Sequence, residues 1–299
     1  MYDASVQLRP FRPGDAAALA RLASSYARGE ADFVLHPLWE TADELHAEFE
    51  LHGITPEDHL LVADAGDGRA FGMAGILRFP GETAAALIPP VVERQERGKG
   101  AGGELLRAAL ELAKREGVKL ASAAVGSRNR SGYALLAAHG FRPVRQHFFM
   151  RATSDLAPPG TLPDGVTLDA ARHDDSASIH ELYGDADFPA RLPEATRRAL
   201  SDGRHAHAVA RREGTVVGFV ELDTHWRERP FVAFVGVDPS LRERGVGTGL
   251  VRYALERAFA KGARTAQLLL SPANRAALRA YEKVGFKRFR LLDVLEKGL

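Results

Sequence analysis

Apolar and polar positions in the second half of the chain alternate between two spacings. Short, nearly continuous apolar runs at 231–237 and 265–270 are typical of buried strands. Segments 247–262 and 274–284 instead repeat apolar residues at helical spacing, with a glycine ending the first and an asparagine cap opening the second. These segments therefore predict strand–helix–strand–helix order.

Further elements are expected around this core. A Glu-Gly turn at 213–214 joins segments 206–213 and 215–226 into a hairpin of two strands. The remaining expected elements are a strand at 166–171, helices around 174–183 and 193–202, and terminal strands within 286–297. Strands alternating with helices around a central hairpin predict an α/β (α+β) domain, with a mixed, mostly antiparallel sheet flanked by helices.

The first half of the chain repeats this pattern. An offset of 145 residues carries "RGKGAG" (97–102) onto "RERGVG" (242–247), and "NRSGYALLAAHGF" (129–141) onto "NRAALRAYEKVGF" (274–286). Near the start, "VQLRPFRPGD" resembles "VTLDAARHDD" at an offset of 160. Two motifs held at one register predict a tandem duplication. The predicted domains are 1–151 and 166–299, joined by a linker at 152–165 that is rich in proline and glycine.

Composition narrows the function. The chain has 299 residues, 45% apolar and 26% charged, with a net charge of +1, so nothing favours a nucleic-acid or membrane partner. It has no cysteine, which excludes disulfides and a cysteine nucleophile. The opening residues lack the apolar core of a signal peptide, and no apolar run reaches membrane-spanning length. We therefore expect a cytoplasmic protein.

The glycine-broken turn before each predicted helix has the features of a phosphate cradle. Gly245 and Gly247 let the backbone turn and let a ligand approach, and the following helix leaves its first N–H groups unpaired. Arg242 and Arg244 add positive charge. A plain strand-to-helix turn with solvated arginines is the alternative, but its repetition at one register favours binding. The Walker motif is absent, and the turn at 98–103 follows polar residues, which disfavours a dinucleotide fold.

With these residues in view, "VDPSLRERGVGTGLV" (237–251) and "SPANRAALRAYEKVGF" (271–286) resemble the GNAT superfamily of acetyl-CoA-dependent N-acetyltransferases. Two such domains in one chain also resemble the architecture of the mycothiol synthase group. The resemblance implies acetyl-CoA as co-substrate, an amine acceptor and no metal. It implies that Tyr281 protonates the leaving thiolate. The implied coenzyme contacts are Val235, Val237, Arg242, Glu243, Arg244, Gly245, Val246, Gly247, Thr248 and Asn274, with Arg97, Gly98, Lys99, Gly100, Ala101 and Gly102 in the first copy.

The duplication provides an internal comparison of the two copies. Tyr281 aligns with Leu136, and Val235 aligns with Pro90, which has no N–H to offer a ligand. Glu221 aligns with Gly75 at an offset of 146. We therefore expect catalysis in the C-terminal domain and a structural or substrate-shaping role for the N-terminal one. Two alternatives stay open: that both domains are catalytic, and that the chain is a non-enzymatic acyl-CoA sensor.

A carboxylate is the candidate general base. An alkylammonium has a pKa of about 10.4, so most of the acceptor is protonated at neutral pH and must lose a proton. Glu221 shares a strand face with Asp223, and the alternative is a solvated edge. The imidazoles of His205 and His207 are interpreted as ordinary strand residues, and Tyr133 as a packing residue. The sequence leaves the identity of the acceptor, a small-molecule or peptide amine, and the oligomeric state open.

Overall fold

The computed structural model describes residues 6–184 and 192–299. Residues 1–5, at the start of the segment in which no signal peptide is expected, lie outside this part. The chain forms two compact units. Unit 1 takes the chain up to His147 together with Arg290–Leu299, and unit 2 is Phe148–Phe289.

Unit 1 is a sheet of six strands flanked by helices, with the strand order β1-β2-β3-β4-β5-β12. Neighbours pair antiparallel except β4 and β5, which are parallel. Its elements are β1 (Gln7–Pro10), α1 (Ala16–Arg28), α2 (Ala42–Leu51), α3 (Pro56–His59), β2 (Leu60–Asp64), β3 (Ala70–Leu77), β4 (Ala84–Val92), α4 (Ala101–Arg115), β5 (Leu120–Gly126), α5 (Arg130–Ala138) and the start of β6 (Arg142–Ala152).

Unit 2 repeats this plan with the order β6-β11-β10-β9-β8-β7, in which β10 and β11 are the parallel neighbours. Its elements are β7 (Val166–Ala170), α6 (Ser176–Gly184), α7 (Pro193–Ala199), β8 (His205–Arg212), β9 (Thr215–Asp223), β10 (Phe231–Val237), α8 (Val246–Ala260), β11 (Ala266–Leu270), α9 (Arg275–Val284) and the start of β12 (Lys287–Gly298). The mixed, mostly antiparallel sheets flanked by helices confirm the fold class.

The last strand of each copy completes the sheet of the other unit. Residues 148–152 of β6 pair with β11, and residues 292–298 of β12 pair with β5. Burial accompanies the exchange: Met150 belongs to the apolar core of unit 2, and Leu292 is fully buried. The compact units therefore differ from the sequence boundaries of 1–151 and 166–299, which follow chain order. The segment 286–297 was expected to hold several strands of the second copy. In the structure it forms the single strand β12, whose last residues pair with β5 of unit 1.

A β-bulge in the β8–β9 hairpin sets which side chains share a face. The Glu-Gly turn has left-handed backbone at both positions, with φ of 51° at Glu213 and 84° at Gly214. Arg212 pairs with Thr215, but the register shifts between Ala210 and Arg211. Beyond the shift His207 lies opposite Glu221, and His205 lies opposite Asp223. Because directly opposed residues share a face, the bulge brings imidazoles and carboxylates together.

A buried ion pair anchors the first turn of unit 2. Asp175 accepts a hydrogen bond from the Arg172 backbone N–H (2.7 Å) and pairs with both terminal nitrogens of Arg211 (2.9 and 2.7 Å). Burial opposes ionisation of Asp175, but the hydrogen bonds from Arg211 and Arg172 outweigh it and lower the pKa of the carboxyl. Asp15, at the repeat position of unit 1, likewise accepts from the Arg12 N–H (2.8 Å) and pairs with Arg9. The two copies thus keep the carboxylate and change its arginine.

Candidate active site and coenzyme cavity

The glycine loop of unit 2 has a left-handed backbone at two positions. Gly245, immediately before α8, has φ of 90°, and Glu243 has φ of 60°. The unit 1 loop has the same shape, with φ of 92° at Gly100 and 77° at Gly98. Residues other than glycine rarely adopt this backbone conformation, so the turn holds Glu243 in an unfavourable backbone state.

The loop directs backbone N–H groups outward at the start of α8. The first helical hydrogen bond runs from Gly249 N–H to the Gly245 carbonyl (2.9 Å), so the N–H groups of residues 246–248 precede the helical pattern. A Cβ on Gly247 would stand 3.6 Å from Val237 Cγ2 and 3.8 Å from Val235 Cγ1, in the floor between helix and strand. Glycine keeps that floor open. The loop therefore fits an anionic ligand that also reaches along β10.

One edge of β10 is left open by the splay of the parallel strands. β10 pairs with β11 at a single register position, Phe231 with Gln267, whereas β9 pairs along its other edge. The Asp238 N–H donates to the Val217 carbonyl on the β9 side, so by strand alternation the N–H and C=O groups of Val235 and Val237 face the open edge. The Arg242 Nε donates to the Val237 carbonyl at 3.0 Å and ties the loop to the strand end.

A cavity of about 340 Å³ joins these features. Apolar residues of α9 and α8, among them Ala277 and Val251, complete its wall, and helical spacing was their only signal in the sequence. Two predicted contacts lie elsewhere: Arg244 lines a neighbouring cavity, and the Val246 side chain is buried in the core. Nine of the residues predicted from sequence line the 340 Å³ cavity: Val235, Val237, Arg242, Glu243, Gly245, Gly247, Thr248, Asn274 and Tyr281.

Tyr281 is half-buried on α9, with its ring edge-on to Phe286 at 5.6 Å between centroids. Burial raises its pKa to about 12, because the phenolate is poorly solvated there. The hydroxyl is therefore a proton donor across the physiological range. Asn274 caps the same helix by accepting from the Ala277 N–H (3.0 Å), so it has a structural role besides lining the cavity.

Glu221 lies outside this cavity, on the neighbouring strand β9 and opposite Phe234 of β10. It is 1% exposed, and its Oε2 is 3.0 Å from His207 Nε2, while its Oε1 is 3.6 Å from His205 Nε2. His205 Nδ1 in turn lies 3.1 Å from both carboxylate oxygens of Asp202. The face is thus a chain of imidazoles and carboxylates, buried at Glu221 and His207 and exposed at Asp202, rather than the solvated edge that was the alternative.

Asp223 ends the same strand face. Burial opposes its ionisation, but hydrogen bonds from the His225 side chain (2.7 Å) and backbone N–H (3.0 Å) outweigh it and lower the pKa of the carboxyl.

Across the described ranges 6–184 and 192–299, no group of three or more His, Asp or Glu side chains is arranged to hold a metal ion. The imidazoles at 205 and 207 therefore form a hydrogen-bonding cluster with Glu221.

Unit 1 has a smaller cavity, about 280 Å³, at the equivalent place. Arg97, Gly98, Gly100 and Gly102 line it, whereas Lys99 and Ala101 do not. The Arg97 Nε donates to the Val92 carbonyl at 3.1 Å, which repeats the contact of Arg242 with Val237. The loop and its arginine are therefore preserved in both copies.

The open edge of β4 is occupied by the protein itself. The Tyr26 hydroxyl donates to the Val92 carbonyl at 2.8 Å and accepts from the Val92 N–H at 3.0 Å. The Arg97 guanidinium lies 4.8 Å from the centroid of the Tyr26 ring and pairs with Asp32 at 2.9 Å. Sequence comparison missed Tyr26 and Asp32, because neither belongs to the motifs aligned between the two copies. The Tyr26 hydroxyl therefore occupies, at Val92, the edge that faces the coenzyme cavity at Val237 in unit 2.

A splayed mixed sheet, a glycine loop before a helix and a tyrosine in the resulting cavity define an acyltransferase that uses an acyl-coenzyme A thioester. The sequence profile of the acetyltransferase (GNAT) family matches residues 21–141 and 169–286. The chain belongs to the GNAT family of acetyltransferases and carries two of its domains. Enzymes of this family use acetyl-CoA as co-substrate and act on amines. Within the described residues, no helix is long and apolar enough to cross a membrane.

Related proteins match this chain over nearly its whole length. Mycothiol acetyltransferase of Sanguibacter keddieii is 31% identical over 95% of this chain and 93% of its own. A GCN5-related N-acetyltransferase of Sphaerobacter thermophilus superposes with a TM-score of 0.80 at 22% identity, covering 98% of this chain and 95% of that one. A tandem GNAT protein from the clavulanic acid biosynthesis pathway gives a TM-score of 0.75 at 17% identity over 98% of both chains. The expected family and two-domain architecture are confirmed.

Proposed function

We propose that unit 2 transfers the acetyl group of acetyl-CoA to an amine, and that unit 1 does not. The observation that carries this proposal is the 340 Å³ cavity, where the open edge of β10, the start of α8 and Tyr281 meet. Acetyl-CoA supplies an acetyl group activated as a thioester. The N–H groups of residues 246–248 and Arg242 hold its diphosphate, and the backbone of Val235 and Val237 holds its pantetheine arm.

The proposed chemistry is direct transfer. A neutral amine nitrogen forms a bond to the acetyl carbon, the carbon–sulfur bond breaks, and the sulfur keeps the bonding electron pair. Tyr281 donates its hydroxyl proton to that sulfur, and the new amide nitrogen releases its surplus proton to water. Tyr281 recovers a proton from solvent after product release. N–H groups on the open edge of β10 donate to the carbonyl oxygen as negative charge develops on it.

Glu221 is the proposed base for the amine proton. Removing a proton from an alkylammonium of pKa about 10.4 costs about 4–5 kcal/mol at neutral pH, so a nearby acceptor is needed. Glu221 does not line the coenzyme cavity, and it acts through a water molecule. The contacts of Glu221 with His205 (3.6 Å) and of His205 with Asp202 (3.1 Å) offer a route by which the proton leaves towards the surface. Asp202 is exposed, so the route ends in solvent.

Unit 1 is proposed to be non-catalytic for three independent reasons. Leu136 stands at the position of Tyr281, so the cavity has no phenol there. Pro90 stands at the position of Val235 and offers no N–H to the ligand. The Tyr26 hydroxyl holds both backbone groups of Val92, the one remaining open-edge residue of the pair. Each difference removes a different part of the machinery.

Binding stoichiometry and turnover test the assignment together. We expect isothermal titration of the whole chain with acetyl-CoA to give one equivalent, and Tyr281→Phe to remove most turnover with any accepted amine. Two equivalents, with turnover that survives Tyr281→Phe, would support catalysis in both domains. Coenzyme binding without transfer across a broad amine panel would support the non-enzymatic sensor.

The acceptor is proposed from the relatives. A protein named mycothiol acetyltransferase matches nearly the whole chain, so we propose the amine precursor of mycothiol as the first acceptor to test. The comparison panel holds aminoglycosides, peptide N-termini and lysine side chains. Release of free thiol from acetyl-CoA reports turnover for every member, and a preference of less than tenfold for the mycothiol precursor would reject this acceptor.

A further inference from the structure

A cavity of about 530 Å³ lies in unit 2 between the β8–β9 hairpin and the C-terminal half of α8. Ala206, Ala208 and Leu222 line it from the hairpin, and Ala254 and Ala258 line it from the helix. It has no lining residue in common with the coenzyme cavity. Its volume falls within the range of small-molecule sites, about 300–1,000 Å³. The cavity is therefore large enough for a ligand of its own.

Three exposed cations line this cavity: Arg227, Arg257 and Lys261. Among residues 6–184 and 192–299, no Asp or Glu lines the cavity, and none forms an ion pair with any of the three. Their positive charges stand together without a counter-ion from the chain. An anion is therefore the ligand that the cavity favours.

One of these cations is already held in place. The Arg257 Nη1 donates to the Tyr253 hydroxyl at 3.4 Å, and the guanidinium lies 5.4 Å from the centroid of the same ring. A side chain fixed in this way loses less conformational entropy when it binds a ligand. Arg257 is therefore the anchor that we expect for the anionic group.

The equivalent place in unit 1 is defined by a bulge that both hairpins share. The register shifts after the pair Ala210–Gly218 in β8–β9 and after the pair Ala63–Gly72 in β2–β3. The bulges align β8 with β2 at an offset of 147 and β9 with β3 at an offset of 146. The helices α8 and α4 keep the offset of 145 that the glycine loops set.

Unit 1 holds a carboxylate of its own at that place. Glu116 Oε2 lies 2.7 Å from Arg78 Nη2 and 3.8 Å from His59 Nε2, and His59 is buried. All three align with residues that line the cavity of unit 2: Glu116 with Lys261, Arg78 with Thr224 and His59 with Ala206. Unit 2 thus has smaller side chains at two of these positions and a cation in place of the carboxylate, and the cavity occupies the space.

The polarity of the helix does not account for the added charge. Basic residues in the last turn of a helix balance its dipole, but α4 has Lys114 and Arg115 there and keeps Glu116 in the next position. Arg257 aligns with Leu112, which is buried. The end of α8 therefore places cations at two cavity positions where the end of α4 has none.

We propose that this cavity binds a small organic carboxylate, whose carboxylate group is held by Arg257 and Lys261 and whose apolar body packs on the alanines. The Glu116 carboxylate occupies the equivalent place in unit 1. The apolar floor favours a ligand with an apolar body over an inorganic anion. His205 and His207 also line the cavity, so the ligand lies beside the side chains that contact Glu221. The inference does not depend on acetyl transfer in unit 2.

Titration of the whole chain with 4-fluorobenzoate, followed by ¹⁹F NMR, tests this proposal. The titration is done with and without saturating CoA, and we expect the same affinity in both. 4-Fluorobenzamide has the same shape without the charge, and it should bind at least tenfold more weakly, the effect of losing one charge-assisted interaction. Inorganic phosphate at a concentration equal to that of 4-fluorobenzoate should not displace it.

Two variants place the residues of unit 1 in the cavity. Lys261→Glu supplies a carboxylate and should weaken binding of 4-fluorobenzoate at least tenfold, because the remaining cations then have a counter-ion. Ala206→His fills the floor and should weaken binding as much at pH 8, where a histidine of ordinary pKa, about 6.5, is neutral. Lys287→Glu is the matched control, since it makes the same charge change at an exposed position that does not line the cavity. Thermal unfolding of each variant checks that it is folded.

Several outcomes would overturn the inference. Equal affinity for the acid and the amide would show that the charge is not recognised. Displacement by CoA would assign the ligand to a coenzyme cavity, and displacement by phosphate would show binding of any anion. Undiminished binding to folded Lys261→Glu would place the ligand elsewhere. No change in the ¹⁹F signal at about 10 mM, where even a millimolar site is mostly filled, would show that the cavity has no such ligand. Acetyl transfer is unaffected by each of these results, so the proposed function is judged separately.

Discussion

Replacing Tyr281 with phenylalanine tests the chemistry of the proposed active site most directly. The change removes one hydroxyl and keeps the ring, so the edge-on contact with Phe286 and the shape of the cavity wall are preserved. Among the described residues the hydroxyl has no hydrogen-bond partner, so its removal leaves no protein group unsatisfied. We therefore expect a folded protein that binds acetyl-CoA with unchanged affinity and has lost its proton donor.

The size of the effect follows from the raised pKa. A phenol with a pKa of about 12 is fully protonated at pH 8, so its supply does not limit the reaction. Transfer to a thiolate of pKa about 8.5 spans roughly 3.5 units, or about 5 kcal/mol uphill, which makes the phenol a weak acid for this task. General acids contribute about 10² to 10⁴ in rate. We expect Tyr281→Phe to lie near the lower end, with kcat reduced about 100-fold.

Initial rates of free-thiol release from acetyl-CoA give kcat and KM for the acceptor. Calorimetry gives the affinity for acetyl-CoA. The pH profile adds a second readout: because the pKa of Tyr281 is about 12, wild-type turnover should show no decline from its ionisation below about pH 11. Tyr133→Phe is the matched control. Tyr133 lies on the equivalent helix α5 of unit 1, and its change should leave both constants as they are.

Two results would refute this reasoning. A kcat within threefold of wild type would show that solvent protonates the thiolate unaided. An equal loss of turnover and of coenzyme affinity would show that the hydroxyl binds the coenzyme in the ground state rather than assisting bond cleavage.

Three further changes probe the rest of the structure. Glu221→Gln should lower turnover mainly at pH values below the pKa of the acceptor amine, and an unchanged pH profile would remove Glu221 from the mechanism. Tyr26→Phe frees the N–H of Val92 while its carbonyl keeps the contact with Arg97, so titration with acetyl-CoA should show a second, weaker equivalent; a single equivalent would argue against the occupied edge. Asp175→Asn should cost about 2 kcal/mol of unfolding free energy at pH 7, measured with urea, because it removes the charge that strengthens the hydrogen bonds from Arg211. Because the folded pKa of Asp175 is lowered, its contribution is complete above the unfolded value near 3.9 and disappears as pH falls through the folded pKa, so mutant and wild type should converge in acid.

Local sequence signals were sufficient for most elements of the second copy and for the repeat. The segment 247–262 predicted a helix that the structure begins at Val246 and ends at Ala260, and Asn274 caps α9 as its position indicated. The glycine loops appear at the expected strand-to-helix junctions with matching backbone conformations. Helix caps, turn glycines and apolar spacing act over a few residues, so they can be read without knowledge of the fold.

Pairing in the β8–β9 hairpin illustrates what local signals leave open. Counting back from the Glu-Gly turn without a bulge places His207 opposite Val220, which would put the imidazoles and Glu221 on opposite faces. The bulge between Ala210 and Arg211 shifts the register by one residue and brings His207 to within 3.0 Å of Glu221. Because side chains alternate with a period of two, one inserted residue exchanges the faces of everything beyond it.

By itself, the sequence determined that this protein consists of two copies of one coenzyme-binding fold and that one copy alone carries Tyr281. Only the tertiary structure decided that the last strand of each copy pairs within the sheet of the other unit. It also decided that Tyr26 occupies the open edge of β4 and that the linker forms one wall of a cavity beside Arg252. Each of these joins residues distant along the chain. The physical reason is that such contacts depend on the packing of whole elements, whereas a cap or a turn depends on its neighbours in sequence.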